Sequence, residues 1–209
     1  SLVITGTVLL LATPILSEDI WRYVWDGFNL ASGTNPYCVA PSSPSMDQFS
    51  QRYQLQTVRA SIGHAQLPTI YPPLAQVIFS VSSLFAPSTI PIRILGGLAI
   101  MCSAILLFRL LKGRGINPSL VVLFVFNPVV LVEVYVSGHV DIFAVMFVLG
   151  AFWLAQTGRH SLSACILACA VLTKVIPILI IPVVLKRRWK QWGLCLTIIS
   201  CVYLLFSMS

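Results

Sequence analysis

The chain has 209 residues, of which 57% are hydrophobic and 9% are charged. A soluble domain is excluded, because a chain with so few polar residues cannot cover its surface with polar groups in water. The net charge of +7 does not indicate a nucleic-acid-binding protein, since the basic residues gather at the ends of apolar segments and not along one face. The apolar segments lack the alternation of a membrane barrel, so the sequence predicts an all-α integral membrane protein.

Seven apolar segments are predicted to enter the membrane, and a polar loop over residues 17–71 follows the first of them. The segments lie at residues 1–16, 72–87, 91–111, 117–136, 142–157, 161–185 and 193–209. We expect one transmembrane helical bundle over residues 1–209, with a first span at 1–16 and the remaining membrane helices at 72–209. Because both ends of the chain lie inside apolar runs, we also expect it to be an excerpt of a longer protein.

The basic clusters determine the expected topology. If every segment crossed once, the cluster at 112–114 and the cluster at 186–190 would lie on opposite sides, against the positive-inside rule. Segment 72–87 is bracketed by prolines and rises only about 24 Å, so we expect it to enter and return to the same side, with a short tilted span as the alternative. The protein is then multi-pass in a plasma or inner membrane, and loop 17–71 shares the extracytoplasmic face with the SGHVD turn at 137–141.

Two breaks are predicted inside the apolar segments. The Asn127–Pro128 pair is expected to kink its helix, and segment 161–185 is expected to form a hairpin broken around Lys174 and Pro177. Lys174 would cost at least about 2.5 kcal/mol facing lipid, which favours a functional role, with capping of carbonyls freed near Pro177 as the alternative. For the same reason Glu133 is expected to point into the bundle.

Three of the six acidic residues lie in the stretch SEDIWRYVWDGF at residues 17–28. Its apolar residues recur at helical spacing while Asp19, Arg22 and Asp26 take the opposite face, so an amphipathic helix lying on the membrane is predicted, with its tryptophans in the interfacial belt. Two interpretations stay open. Either the acids only cap and solvate a surface helix, or they form an active site where the loop meets the bilayer, suited to a substrate with a lipid tail and a polar head.

Several motifs follow one another along the chain. The first apolar segment ends in an acidic pair, and the chain continues with WRYVWDG, NPY, PTIYPPLAQ, FNPVVLVE, SGHVD and LTKVIPILIIP. In their order and spacing these motifs resemble the GT-C superfamily of multi-pass glycosyltransferases. The resemblance covers most of residues 10–185 and is closest to the mannosyltransferase-like branch. It implies an enzyme that transfers a hexose, with mannose expected, from a polyprenyl-phosphate donor to a hydroxyl of a lipid or glycan acceptor, with inversion, on the extracytoplasmic face.

The resemblance also implies the catalytic residues. The family places a catalytic carboxylate in the first extracytoplasmic loop just after the first helix, so Asp19 is expected to be the general base, with Glu18 as the alternative. An ionised carboxylate there can accept the proton of the acceptor hydroxyl. No cofactor is expected, and a divalent metal has no support, because the two acids are adjacent and point about 100° apart on a helix.

Seven further residues are expected to bind the substrate, because a lipid-phosphate leaving group needs positive charge or hydrogen-bond donors. They are Arg22, Asp26, His64, Tyr71, His139, Asp141 and Lys174. Structural alternatives stay open for four of them. Arg22 could form a helix salt bridge, His64 could be a plain loop residue, Tyr71 could anchor the chain at the membrane interface, and Asp141 could cap a helix.

Three other classes of protein are weighed against a glycosyltransferase. A transporter or lipid flippase also uses broken helices and intramembrane charges, but the sequence shows no repeat relating its halves. A non-catalytic subunit of the same fold would have no need of the acidic pair. A polymerase or ligase of lipid-linked polysaccharide would be expected to use arginine and histidine in its large loop, which differs from the acidic loop seen here.

Overall fold

The structure, a computed structural model, describes residues 2–14 and 16–208, and in this part of the chain it is all-helical, with 71% helix and no strand. The predicted all-α class is therefore confirmed. The α-helices are α1 (Leu2–Leu10), α2 (Asp19–Ala31), α3 (Asp47–Arg52), α4 (Gln56–Ala60), α5 (Pro73–Ser83), α6 (Ile90–Gly113), α7 (Val121–Val125), α8 (Pro128–Tyr135), α9 (Asp141–Gln156), α10 (His160–Thr173), α11 (Ile181–Leu185) and α12 (Trp189–Met208). Short 3₁₀ helices lie at Pro44–Met46, Pro118–Leu120 and Ile176–Ile180.

Two of the described helices, α6 and α12, are long and apolar enough to cross a membrane. The pair Pro118–Val125 and Pro128–Tyr135 would make a third span if the 53° bend between its halves is counted as part of one crossing. Helices α5, α9 and α10 are apolar but shorter. The length and composition of the described helices thus support two or three spans, and the full multi-pass topology stays a prediction.

The two predicted breaks are present. The 53° bend lies at Asn127 and Pro128, where the Asn127 side chain accepts a hydrogen bond from the Val129 N–H at 2.9 Å and so begins a new helix. Helix α10 ends at Thr173, and Lys174 has an extended backbone with φ −146° and ψ 136°. The predicted first span at 1–16 includes residues 1 and 15, which lie outside the described residues, and its described helix, α1, has nine residues.

Two large apolar clusters lie among the helices, and a smaller third cluster lies between α2 and the segment 46–62. The first cluster lies among α2, α5, α6, α8 and α9 and includes Phe79 and Ile100, both fully buried. The second lies among α9, α10, α11 and α12 and includes Leu167 and Cys195. Helix α9 packs against both α6 and α10, and α10 packs against α12. Helix α9 therefore joins the two clusters into one helical body.

Helix α2 forms where the sequence predicts it, but it does not lie on a surface. A side chain at Gly27 would collide with the backbone carbonyl of Phe79, so α2 and α5 touch through their backbones. Tyr23 stacks on Phe79 with ring centroids 4.4 Å apart. On the other side Trp25 is fully buried and packs edge-on against Phe49 of α3 at 5.5 Å. The expectation that Trp25 lies in the membrane belt is wrong, because the loop folds back and covers this side chain.

A buried arginine, Arg93, ties three helices together near the first turn of α6. Its Nε donates to the carbonyl oxygen of Tyr135 at 2.5 Å, and one terminal nitrogen donates to the carbonyl oxygens of Leu9 and Ala12, both at 2.9 Å. Tyr135 is the last residue of α8, Leu9 lies in the last turn of α1 and Ala12 follows that helix. The Leu9 carbonyl oxygen also accepts the Ala12 N–H at 3.1 Å. One guanidinium therefore supplies hydrogen-bond donors at the C-terminal ends of two helices, where intrahelical donors run out, and holds them against a third.

Replacing Arg93 with methionine is expected to destabilise the fold. The variant keeps an unbranched side chain of moderate length but removes three hydrogen bonds to carbonyl oxygens, of which only that of Leu9 keeps a backbone donor within the described residues. We expect this loss to lower the free energy of unfolding by about 3 kcal/mol. Thermal unfolding of the purified protein in detergent measures this loss. Arg109→Met is the matched control, because Arg109 is exposed and lies over the Trp153 ring at 5.4 Å. Equal unfolding temperatures for the two variants would contradict the assigned role of Arg93.

Candidate functional site

The candidate site consists of two adjoining pockets that share Asp19. The first pocket has a volume of about 120 Å³ and lies between the start of α2 and the segment 63–71. The second has a volume of about 360 Å³ and lies between α2, the α8–α9 turn and the end of α10. All the site residues predicted from the sequence line one of these pockets, with the exception of Asp26.

The backbone at the start of α2 presents the acidic pair to the pockets. The Asp19 N–H donates to the Ser17 hydroxyl oxygen at 3.2 Å. Glu18 occupies the position before the helix, and its side chain makes no capping hydrogen bond. Both Glu18 and Asp19 are exposed. The carboxylate of Glu18 is therefore not used as a cap, and it lies beside Gly63, where any side chain would collide with it.

Two tyrosines form the wall next to Asp19. The rings of Tyr23 and Tyr71 meet edge to face with centroids 5.0 Å apart. Burial raises the pKa of Tyr71, and the negative charge of Asp19 raises it further. Burial likewise raises the pKa of Tyr23, with Tyr71 and Asp19 adding to the effect. Both phenols therefore stay protonated and can donate hydrogen bonds to a carboxylate or to a substrate oxygen.

Beneath the first pocket lies a buried polar network. Arg22 donates from Nε to Asp26 at 3.0 Å and from a terminal nitrogen to the carbonyl oxygen of Leu67 at 2.8 Å. The Gln76 amide donates to the other oxygen of Asp26 at 3.2 Å and to Thr69 at 2.8 Å. The network joins α2 to α5 and to the segment that carries Tyr71.

Asp26 is 1% exposed and lines neither pocket, so the structure does not support the expectation that it contacts the substrate. Burial raises the pKa of Asp26, and the positive charge of Arg22 acts in the opposite direction. With Arg22, Gln76 and Thr69 around it, Asp26 is a structural counter-ion. Arg22 forms the helix salt bridge that the sequence allowed and also lines the first pocket, and its binding of substrate stays a prediction.

Lys174 and Asp141 face each other in the second pocket. The Lys174 ammonium lies 3.0 Å from one Asp141 oxygen and 3.2 Å from the other. Both side chains are partly exposed. The extended backbone at Lys174 takes the chain out of α10 at this point and directs it past the start of α9. Lys174 therefore has a carboxylate partner and is not an isolated charge in an apolar run.

His139 has protein partners on both ring nitrogens. Its Nδ1 contacts the Glu133 carboxylate, and its Nε2 lies 3.1 Å from the Ser17 hydroxyl. The sequence indicated that Glu133 points inward but not that it pairs with His139, because the pairing depends on the turn after α8. His64, by contrast, is exposed at the rim of the first pocket in a left-handed backbone conformation. Among the described residues no group of three or more His, Cys, Asp or Glu side chains could hold a metal ion.

Comparison with known proteins gives one match. A protein-family model described as alpha-(1->6)-mannopyranosyltransferase, N-terminal domain, matches residues 7–188. No curated protein and no solved structure matches the chain. The matched range contains both pockets and every candidate site residue.

Replacing Asp26 with leucine is expected to destabilise the fold beneath the first pocket. The variant leaves the buried Arg22 guanidinium without its counter-ion, which we expect to lower the free energy of unfolding by about 3–5 kcal/mol. Asp47→Leu is the matched control, because the Asp47 side chain is 59% exposed in its pair with Arg59 and such pairs contribute at most about 1 kcal/mol. Thermal unfolding in detergent compares the two, and a loss no larger for Asp26→Leu than for Asp47→Leu would show that the buried network does not hold α2 in place.

Proposed function

The chain belongs to the alpha-(1->6)-mannopyranosyltransferase N-terminal domain family, and from that premise we propose that it transfers mannose from a polyprenyl-phosphate donor to an acceptor hydroxyl with inversion. Membership supports a glycosyltransferase. The donor, the stereochemistry and the catalytic base belong to the proposal. They are argued below from the charges and hydrogen-bonding groups that surround Asp19.

The position of Asp19 carries the proposal. Asp19 is the residue that lines both pockets, so its carboxylate can contact groups bound on either side. A base for glycosyl transfer must reach the acceptor hydroxyl while that hydroxyl approaches the anomeric carbon of the donor. If the acceptor occupies one pocket and the donor the other, the reacting atoms meet beside Asp19. Glu18 lines the first pocket only and is the weaker candidate.

The proposed reaction is a single displacement. The acceptor oxygen forms a bond to the anomeric carbon as the bond from that carbon to the phosphate oxygen breaks. The electron pair of the broken bond leaves on the phosphate, and the hydroxyl proton passes to the Asp19 carboxylate. Polyprenyl phosphate is a stable anion, so its departure needs positive charge and hydrogen-bond donors more than it needs an acid.

The second pocket is suited to the donor phosphate. Lys174 provides a cation there, and the protonated Tyr23 lines the same pocket. His139 does not serve this role through its ring nitrogens, since both are occupied by Glu133 and Ser17. The first pocket, with Arg22, His64 and Tyr71, offers the hydrogen-bonding groups that a sugar acceptor needs. We therefore assign the donor to the second pocket and the acceptor to the first.

The arrangement in the membrane follows the same proposal. Only 6% of the most apolar stretch of α12 and 33% of that of α6 is buried, as expected for helices in contact with lipid. The basic clusters at 112–114 and 186–190 are placed on the cytoplasmic side by the positive-inside rule. The two pockets then open on the extracytoplasmic side, where a lipid-linked sugar can present its head group at the bilayer surface.

Asp19→Asn is expected to abolish transfer without loss of the fold. The amide cannot accept the acceptor's proton, and losing a general base costs about 100- to 10,000-fold in rate. The assay uses the full-length protein reconstituted with radiolabelled polyprenyl-phosphate mannose and follows release of the lipid phosphate, with donor binding measured separately. Asp47→Asn is the control. Full activity in both Asp19→Asn and Glu18→Gln would overturn the mechanism, and wild-type protein that binds this donor without turnover would favour a transporter or flippase.

Lys174→Met is expected to impair use of the donor. Without the positive charge of Lys174, the negative charge that develops on the leaving phosphate is less stabilised. We therefore expect kcat/KM for the donor to fall by about 100-fold. Lys174→Arg should recover part of this activity, because it restores the charge. Lys190→Met is the matched control at the start of α12, outside both pockets. An unchanged kcat/KM in Lys174→Met would exclude Lys174 from the donor site.

A further inference from the structure

A chain of side-chain contacts runs from α8 to the residue before the acidic pair. Glu133 lies near the end of α8, and its carboxylate contacts Nδ1 of His139. Nε2 of His139 lies 3.1 Å from the Ser17 hydroxyl, and the same hydroxyl accepts the Asp19 N–H at 3.2 Å. We call Glu133, His139 and Ser17 the link. It spans residues more than 100 positions apart in sequence and ends on the backbone of Asp19.

The hydrogen-bond roles along the link are mutually consistent. The Asp19 amide is a donor, so Ser17 accepts from it and keeps its own hydroxyl proton for Nε2 of His139. His139 then carries its proton on Nδ1, where the acceptor is the Glu133 carboxylate. A neutral imidazole satisfies every member in this one tautomer, and Glu133 selects it. Each group therefore has a defined partner and a defined direction of donation.

The backbone around the link places the turn against α2. The His139 N–H donates to the carbonyl oxygen of Glu133 at 2.9 Å. Gly138 has a left-handed backbone, φ 72°, and a side chain there would collide with Ile20 in the first turn of α2. The turn can therefore approach α2 closely enough for His139 to reach Ser17.

From this geometry we infer that Glu133, His139 and Ser17 are positioning residues that set the orientation of the Asp19 carboxylate for the transfer reaction. The inference rests on the function proposed above. The side chains of His139 and Glu133 are 29% and 44% exposed, and partly exposed pairs contribute little to stability. Their effect is therefore expected in the rate of reaction and not in the stability of the fold.

The first test measures turnover in variants of the full-length protein. Ser17→Ala, His139→Ala and the isosteric Glu133→Gln are each expected to lower kcat by about 10- to 100-fold, because small displacements of a catalytic group have effects of that size. The KM for the donor and the unfolding temperature should change little. Ser17→Thr keeps the hydroxyl and should recover most of the rate. Ser61→Ala is the control, since Ser61 directly follows the short helix α4 and its hydroxyl donates to the Thr57 carbonyl oxygen of that helix.

The second test asks whether the members act as one unit. In Ser17→Ala/His139→Ala the link is already broken by either change, so the double variant should be no slower than the slower single variant. Rate losses that multiply would overturn the inference. The inference would also be overturned if Ser17→Ala or Glu133→Gln kept the wild-type kcat while Asp19→Asn was inactive. That result would leave the proposed function intact.

The third test is independent of catalysis. Ser17→Ala and His139→Ala should speed hydrogen exchange of the amides in the first turn of α2, whereas Ser61→Ala should not. If Asp19→Asn retains full transfer, the proposed base is wrong, and the exchange measurement still decides whether the link orders this turn. Unchanged exchange in both variants would overturn the link as a structural unit.

Discussion

The backbone contact between α2 and α5 determines where the acidic pair can lie. At Gly27 the two helices approach so closely that no side chain fits, and the stacked rings of Tyr23 and Phe79 extend the contact along both helices. Such a close approach fixes the rotation of α2 about its own axis. Because Asp19 begins this helix, the same contact fixes the direction from which its carboxylate enters the pockets. Hydrogen bonds among the buried side chains of Arg22, Asp26 and Gln76 also hold the two helices together.

The opposite wall of the site depends on a different anchor. Arg93 joins the ends of α1 and α8 to the start of α6, and α8 leads directly into the turn that carries His139 and Asp141. The site is thus assembled from two separately fastened parts, the α2–α5 pair and the α8–α9 turn. Their relative placement sets the distance between the proposed donor and acceptor positions, which is the quantity that a displacement reaction depends on most steeply.

Much of this architecture could be predicted from local sequence. The length of the apolar segments predicts α6 and α12, and the proline after Asn127 predicts the bend at Asn127–Pro128. The acidic pair stands out because acids are rare in this chain, Lys174 because it lies in an apolar run, and His139 and Asp141 because they lie in the SGHVD turn. The structure places all of them in the two adjoining pockets. Periodicity also predicted α2 correctly, but it cannot show what covers a helix, so the burial of Trp25 and Asp26 was missed. Arg93 was missed because an arginine at a helix start has the same local pattern as an interfacial one.

The pairing of Lys174 with Asp141 has a consequence for turnover. Before any ligand arrives the ammonium already has a counter-ion at 3.0 Å, so the phosphate of the proposed donor would have to compete with the Asp141 carboxylate for Lys174. The net free energy of binding the anion is then the difference between the free energies of two ion pairs and not the free energy of one. In the proposed reaction such an exchange would keep binding moderate, and the carboxylate would pair with the lysine again as the lipid phosphate leaves. A site built in this way would release its product readily.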